Sequence, residues 1–404
     1  MDFIHQTPTS ERFTKISVLG VGGAGCNAVT HLAREPLAGV TLAVLNTDAA
    51  ALARLSIEPR IVLGKQATRG LSAGGDPERG RAAAEEDASS IQALCDGADI
   101  VFVVAGLGGG TGTGAAPVAA RIARESRALV FGIALMPFEF EGARRQRQAA
   151  LGLQELKAVA DGVIWLPNQK LLKLVDDKTP IVEALDHMNS YVARTIVAIW
   201  GLLTRPGIVQ VDFAALRAVT QGRHAESSIA IAEASGDDRA REAAEKLVAH
   251  PMLEGGALLT EANQVLVSIL AGPAFSMGEV HHLMERINRV CDGAHITVGA
   301  AVDARLGDQL TVTLIASRGG ADSSAAALLA ADAASEGLNP FRPAKTKPDQ
   351  AETPRLRKQT ARLRQTQLPL DIISRGRFEK SEPTIHHGQD LDVPTYIRRG
   401  VALN

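Results

Sequence analysis

Residues 105–117, AGLGGGTGTGAAP, place six glycines and two threonines in thirteen positions. Glycine loses more conformational freedom on folding than any other residue, so such a run implies a need for positive φ or for close approach to bare backbone. The apolar stretch ADIVFVVAG leads into it as a strand, and a helical pattern follows. Strand, glycine loop and helix in that order bring main-chain N–H groups and the positive end of a helix dipole to one point, which suits phosphate. A second loop has the same setting: GVGGAG, residues 20–25, follows KISVLG and opens the helical CNAVTHLA. It satisfies G-x-G-x-x-G, and Asp48 ends the next apolar run, about where a dinucleotide fold would place a ribose-binding acid. Taken alone, GVGGAG fits an NAD or FAD site, or a turn that packs a helix on its strand. GGGTGTG, residues 108–114, has no use in a dinucleotide fold, and no lysine follows to make it a Walker A loop. Phosphate charge there would fall to amides, threonine hydroxyls, a helix dipole and Mg²⁺.

VTLAVLNTD, RALVFGIALMP and DGVIWLP add further strands. Continuous Val/Ile/Leu runs separated by helices predict a parallel sheet buried on both faces. Leu185, Met188, Val192, Ile199 and Leu203 fall at helical spacing, which predicts one long helix over 181–203, ended by TRPG. From 220 the texture changes: a charged helix DDRAREAAEKLVAH, the apolar NQVLVSILAG, a helix over 277–291 and the strands HITVGAAV and QLTVTLIAS predict a smaller α+β domain. Ser276 and Glu279 stand in capping-box spacing at that helix's start. The expected layout is a flexible N-terminus (1–14), a nucleotide-binding domain (15–180), the central helix (181–203) and a second domain (204–318). A disordered linker (319–389), rich in Ala, Ser, Pro, Lys, Arg and Gln, leads to a docking segment (390–404). In that segment LDVPTYIRRG regains the apolar and aromatic residues that an idle tail would not need.

A formal charge of −2 gives no basic field for nucleic acid. The three cysteines are scattered, which reads as a reduced, cytoplasmic chain without disulfides or a zinc site. Neither a signal peptide nor an apolar run of membrane-spanning length is visible in the sequence, so a membrane link is expected to go through a partner. Glu85, Glu86 and Asp87 on a predicted helix read as a solvated face, and the adjacent pairs His281–His282 and His386–His387 do not form a ligand set.

GVGGAGCNAV, LNTDAAAL, GDPERGRAAAEED, GGGTGTG, PFEFEGARR, LPNQKLLK, LLTRPGIVQVDFA and SGDDRAREA occur in an order that resembles the tubulin/FtsZ superfamily, and within it the bacterial cell-division FtsZ family. Residues 15–318 resemble the family's two-domain core, and LDVPTYIRR its C-terminal partner-binding peptide. The resemblance implies a tubulin-like α/β domain that holds GTP or GDP, with Mg²⁺ expected and no side chain assigned as metal ligand. Gly22, Gly23, Ala24, Asn27, Gly108, Gly109, Gly110, Thr111, Gly112 and Thr113 would surround the nucleotide, and Asn46 and Asp48 match the next nucleotide loop. Glu141 and Arg145 match ribose- and phosphate-side contacts, and Asn168 and Asn189 match residues near the ribose and the guanine edge. It also implies head-to-tail homopolymers in which Asp212 of one subunit completes the GTPase site of the next, building the cytoplasmic ring at midcell. Leu391, Asp392, Val393, Pro394, Tyr396, Ile397 and Arg398 would dock on a membrane-tethering division protein.

Three departures bear on rate and selectivity. The family loop reads N-x-D-F-A-D and here is QVDFAA, so Gln210 and Ala215 replace an asparagine and the second acid. Asp212 itself has a second reading, as N-cap of a helix from Phe213. Leu185 stands where an aromatic residue commonly packs on the base, and SIAIAEASG replaces a glycine-rich stretch, which should stiffen the segment. The alternative function is therefore a filament-forming or filament-modulating paralogue that binds GTP and barely hydrolyses it. An NAD-type dehydrogenase is disfavoured by GGGTGTG.

Overall fold

The computed structural model describes residues 14–35, 37–176, 178–204, 207–220 and 226–318, with the backbone of 385–386 and 389–390. Expectations for the N-terminus, for most of the linker and for Leu391–Arg398 lie outside these residues. The chain divides into two compact units, Met1–Glu336 and Gly337–Asn404. Of the second, only a pair of two-residue antiparallel strands, Ile385–His386 and Gln389–Asp390, is described.

The first unit begins with β1 (Ile16–Val21), α1 (Gly22–Leu32), β2 (Val40–Asn46), α2 (Ala49–Ala53) and β3 (Arg60–Val62). It continues with α3 (Pro77–Glu86), α4 (Ala88–Cys95), β4 (Ile100–Gly106), α5 (Thr111–Glu125), β5 (Leu129–Met136), α6 (Ala143–Val159) and β6 (Gly162–Pro167). The short α7 (Asn168–Leu171) and the long α8 (Ile181–Thr204) follow. The second half holds α9 (Phe213–Thr220), β7 (Glu226–Ser235), α10 (Arg239–Val248), α11 (Ala257–Thr260), β8 (Gln264–Ala271), α12 (Met277–Val290), β9 (His295–Val302) and β10 (Gln309–Arg318).

β1 is buried at every position, as a strand covered on both faces must be. Period-two alternation sends its Ile16 and Val18 to one core and its Leu19 and Val21 to another. β4 repeats the division with Phe102 and Val104 against Val101, Val103 and Ala105. The strands run β3-β2-β1-β4-β5-β6-β7-β10-β8-β9 in a single sheet. Pairing is parallel from β3 to β7, antiparallel on both sides of β10, and parallel again between β8 and β9.

Two features differ from the sequence reading. Three-residue β3 is too short to show a pattern. The substituted segment SIAIAEASG is β7, which links the halves through one registered pair with β6, Ile164–Ser227, and pairs with β10 over its whole length. Ile229 and Ile231 of β7 face the core shared with α8, while Ala230, Ala232 and Ala234 give α10 a small-residue face on which Ala240, Ala243, Ala244 and Leu247 pack.

α8 runs one residue beyond its expected end, and its buried stripe is Ala184, Met188, Tyr191, Val192, Thr195, Ile196 and Ile199. Leu185, expected on that stripe, is exposed. The capping box of α12 forms: Ser276 Oγ accepts from Glu279 N at 3.2 Å, and Glu279 Oε2 accepts from Ser276 N at 2.7 Å. Among the described residues no helix is long and apolar enough to cross a membrane.

Candidate functional site

β1 and β4 are neighbours in the sheet, so the turns at their C-terminal ends lie side by side, and α1 and α5 start there. The turns touch. Gly22 has φ +72°, and a Cβ on it would stand 2.9 Å from the amide nitrogen of Gly112. A Cβ at Gly106 would reach 2.6 Å from Ala24 Cβ, and one at Gly112 would reach 2.2 Å from Gly106 O. At Gly110 it would meet Ala73 and Asp76, and at Gly114 it would lie 1.9 Å from Pro77 O. Most of this run's bare backbone is thus used for close packing of main chain on main chain. Gly23 and Gly109 differ: a Cβ at Gly23 has nothing within 4 Å, and one at Gly109 meets only the end of Arg145 at 3.8 Å.

The open side is lined by backbone donors. The first amides of a helix have no intrahelical acceptor. In α5 the first amide to bond back is Gly114 N, to Gly110 O at 3.0 Å, which leaves the amides of Thr111, Gly112 and Thr113 as the helix's free end. Gly22, Gly23 and Ala24 hold the same place in α1. Gly23, Ala24 and Asn27 are exposed together along its first turns. Two helix N-termini brought side by side, with open space at Gly23, suit a polyphosphate.

The threonine hydroxyls are engaged within the protein. Thr113 Oγ1 accepts from Gly108 N at 2.8 Å and fixes the loop's turn, and the Thr111 and Thr47 hydroxyls bond to each other at 2.8 Å. Both loop threonines are buried. Asn46, also buried, accepts from Asp48 N at 3.4 Å, and Asp48 caps α2 through Ala51 N at 2.9 Å. Glu141 Oε1 accepts from Phe138 N at 2.8 Å, and its Oε2 pairs with Arg145 Nη1 at 2.6 Å. A Cβ at Gly108 would lie 2.8 Å from Arg145 O, so this pair flanks the loop. Asn168 opens α7 at the end of β6, two strands from β4, and its Oδ1 is buried with no hydrogen-bond partner. A buried acceptor without a donor is costly, and a ribose hydroxyl would supply that donor. Asn189 is half-buried, one helical turn beyond exposed Leu185 on α8.

Three supporting parts were not singled out from sequence. Gln148 Nε2 donates to Gly75 O and Gly109 O, both at 3.0 Å, and so ties the main loop to segment 70–76. Gln146 Nε2 holds the 137–138 turn through Pro137 O and Phe138 O. In GLSAGGD, Gly70, Gly74 and Gly75 all have positive φ, and that glycine clustering was the available signal.

Glu85, Glu86 and Asp87 hold structure: Glu85 pairs with Arg121, Glu86 accepts from the amides of Gln66 and Ala67, and Asp87 accepts from Gly64 N.

Asp212 lies elsewhere. α8 has 24 residues and so spans about 36 Å; its first half carries Asn189, and Asp212 follows its far end. There Val209 bonds to Ala300 of β9 in both directions, and Asp212 Oδ1 accepts from Ala215 N at 2.8 Å, capping α9. The carboxylate is exposed. Asp212 therefore does cap a helix, through one of its two carboxylate oxygens.

Residues 15–176 match the family model described as Tubulin/FtsZ family, GTPase domain, and residues 226–319 match FtsZ family, C-terminal domain. The chain is similar to the structure of an empty FtsZ dimer from M. jannaschii, with 34% identity over 77% of this chain and 89% of that one and a TM-score of 0.67. CetZ2 from Haloferax volcanii, solved as a GTPgS-bound protofilament, shares the fold at 21% identity, 80% and 99% coverage and a TM-score of 0.63. The two glycine loops thus fall within the first match and the second α/β half within the other, and the chain belongs to the tubulin/FtsZ family.

Proposed function

We propose that this chain is a GTP-binding, self-assembling GTPase whose active site is completed by the next subunit. One observation carries the reading: Asn189, the expected base contact, sits in the first half of the 24-residue α8, whereas the acid at Asp212 follows that helix's far end. A subunit cannot bring its own Asp212 to its own nucleotide, so the two meet only between molecules. Such a contact joins two different faces, repeats without closing and builds a filament. Exposed apolar side chains lie at both ends: Phe140 beside Glu141, Ile181 and Val182 at the start of α8, and Ile208 and Val209 before Asp212. The similar structures, solved as a dimer for FtsZ and as a protofilament for CetZ2, fit this reading.

In the proposed site the amides of Gly22–Ala24 and Gly109–Thr113 receive the phosphates, Arg145 adds charge, and Asn168 and Asn189 hold ribose and base. Mg²⁺ bound with the triphosphate would take up charge that develops on the phosphate oxygens. The neighbour's Asp212, with Oδ1 committed to Ala215 N, offers Oδ2 to orient and deprotonate the water that attacks the γ-phosphorus. The cellular role we infer is the cytoplasmic division ring at midcell, with Leu391–Arg398 docking on a membrane-tethering partner.

A second reading, assembly with little hydrolysis, is favoured by Ala215, which leaves the loop one carboxylate short. Mixing tests the shared site. An Asp212→Asn chain keeps its cradle and lacks the acid, and an Arg145→Ala chain keeps the acid beside a weakened cradle, so an equal mixture should release phosphate faster than the mean of the two variants alone, by up to about a quarter of the wild-type rate per subunit. No gain on mixing would mean that each subunit is catalytically self-contained.

A further inference from the structure

α7 is four residues long and opens with Asn168, yet its own hydrogen bonds cannot hold so short a helix in place. An anchor comes from the other half of the molecule. Lys170 Nζ lies 2.8 Å from Glu254 Oε1, 84 residues on, and 5.3 Å from the centre of the Trp165 ring on β6. The side chains of Lys170 and Glu254 are 19% and 32% exposed, so the pair is sheltered from solvent screening more than an ordinary surface ion pair. Hydrogen bonding from Lys170 holds the Glu254 carboxyl below its usual range.

Glu254 is shaped for this contact. It has φ +57°, a conformation that side chains with a Cβ rarely adopt, and Gly255 and Gly256 continue at φ +63° and +96°. His250 fixes the turn around them: its carbonyl accepts from Leu253 N and Gly255 N, and its Nδ1 accepts from Met252 N at 3.2 Å. The second oxygen of Glu254 lies 3.5 Å from Arg318 at the end of β10, and Arg318 reaches Glu261 at 3.3 Å. Backbone held against its preference persists where the surroundings over-determine it, and such sites cluster at switches and ligand clamps. One ion pair thus joins the helix that carries Asn168 to a rigid turn in the half that carries the exposed face of the next contact.

We propose that Lys170 and Glu254 are positioning residues that couple nucleotide occupancy at Asn168 to the placement of the second half. The inference rests on the nucleotide reading above. Filling the buried Asn168 acceptor with a ribose hydroxyl fixes α7, α7 fixes Lys170, and Lys170 holds the 251–256 turn. By linkage the converse also holds: a set second half raises affinity for nucleotide.

The test uses full-length protein, dilute enough to stay unassembled, and a fluorescent GDP analogue. Lys170→Met keeps the stem and removes the charge, Glu254→Gln removes the charge from the far side, and Lys170→Arg is the conservative control. Each neutral variant should weaken GDP at least about fivefold, the double variant should weaken it no further than either, and Lys170→Arg should stay near wild type. Unfolding midpoints should stay close to wild type in all four. The proposal is overturned if Glu254→Gln binds like wild type, if the two losses multiply, or if weaker binding appears only with a matching fall in the unfolding midpoint. Wild-type protein that fails to bind the GDP analogue would instead overturn the nucleotide reading itself.

Discussion

Gly112 and Gly23 look interchangeable in a sequence and are opposites in the fold. An alanine methyl at Gly112 would stand 2.2 Å from Gly106 O, with backbone on both sides that cannot withdraw. Gly112→Ala should cost at least about 2 kcal/mol of stability, read as a lowered unfolding midpoint. Gly23→Ala meets nothing within 4 Å on an exposed first turn, so its midpoint should stay within about 0.5 kcal/mol of wild type while GTP affinity falls. Equal destabilisation by both would mean that the two loops do not form an open cradle. The glycine count was legible from sequence, but the division into packed and open glycines depends on β4 lying beside β1. The threonines teach the same lesson: the chemistry of a hydroxyl is visible in a sequence, and its partner, here Thr47 or Gly108 N, is not.

At the scale of elements, the turn after α10 makes a pH prediction. His250 is buried against Tyr191, with ring centres 5.8 Å apart, and burial, aided by the charge of Arg194, pushes its pKa down to about 4. The folded state therefore releases a proton that the unfolded chain, with a histidine pKa of about 6.5, still binds. This contribution is complete above about pH 6.5 and is lost as pH falls toward 4, at up to about 1.4 kcal/mol per pH unit. Urea midpoints at about pH 7.5 and about pH 5 should fall with acid in wild type and fall less in His250→Asn; equal slopes would contradict the assignment. In the loop before α9, Ala215→Asp restores a second acid beside Asp212 and should raise phosphate release; an unchanged rate would show that its absence does not limit hydrolysis. Long elements with a clear period, such as β1, β4, α8 and α12, were legible, the last down to its capping box. β3 was too short to carry a period, and the buried stripe of α8 passes through Ala184 and leaves Leu185 exposed.

At the scale of the molecule, the account depends on two faces separated by α8. The motifs bearing Asn189 and Asp212 were visible in sequence, but their separation required the helix length and the bond between Val209 and Ala300 beyond its far end. The docking segment belongs to this scale too. A chain ending at residue 390 should still sediment with GTP and lose only the binding to a membrane-tethering protein proposed above; loss of assembly would assign the segment to the filament instead.

The most direct test of the shared site follows sedimentation and phosphate release on the same Mg²⁺-containing sample, for wild type and Asp212→Asn. Asparagine keeps the helix cap and removes the charge. The account predicts that both pellet with GTP and that the variant's phosphate release falls about 100-fold or to background. Wild-type protein that stays in solution with GTP, or an Asp212→Asn variant that hydrolyses at the wild-type rate, would contradict it.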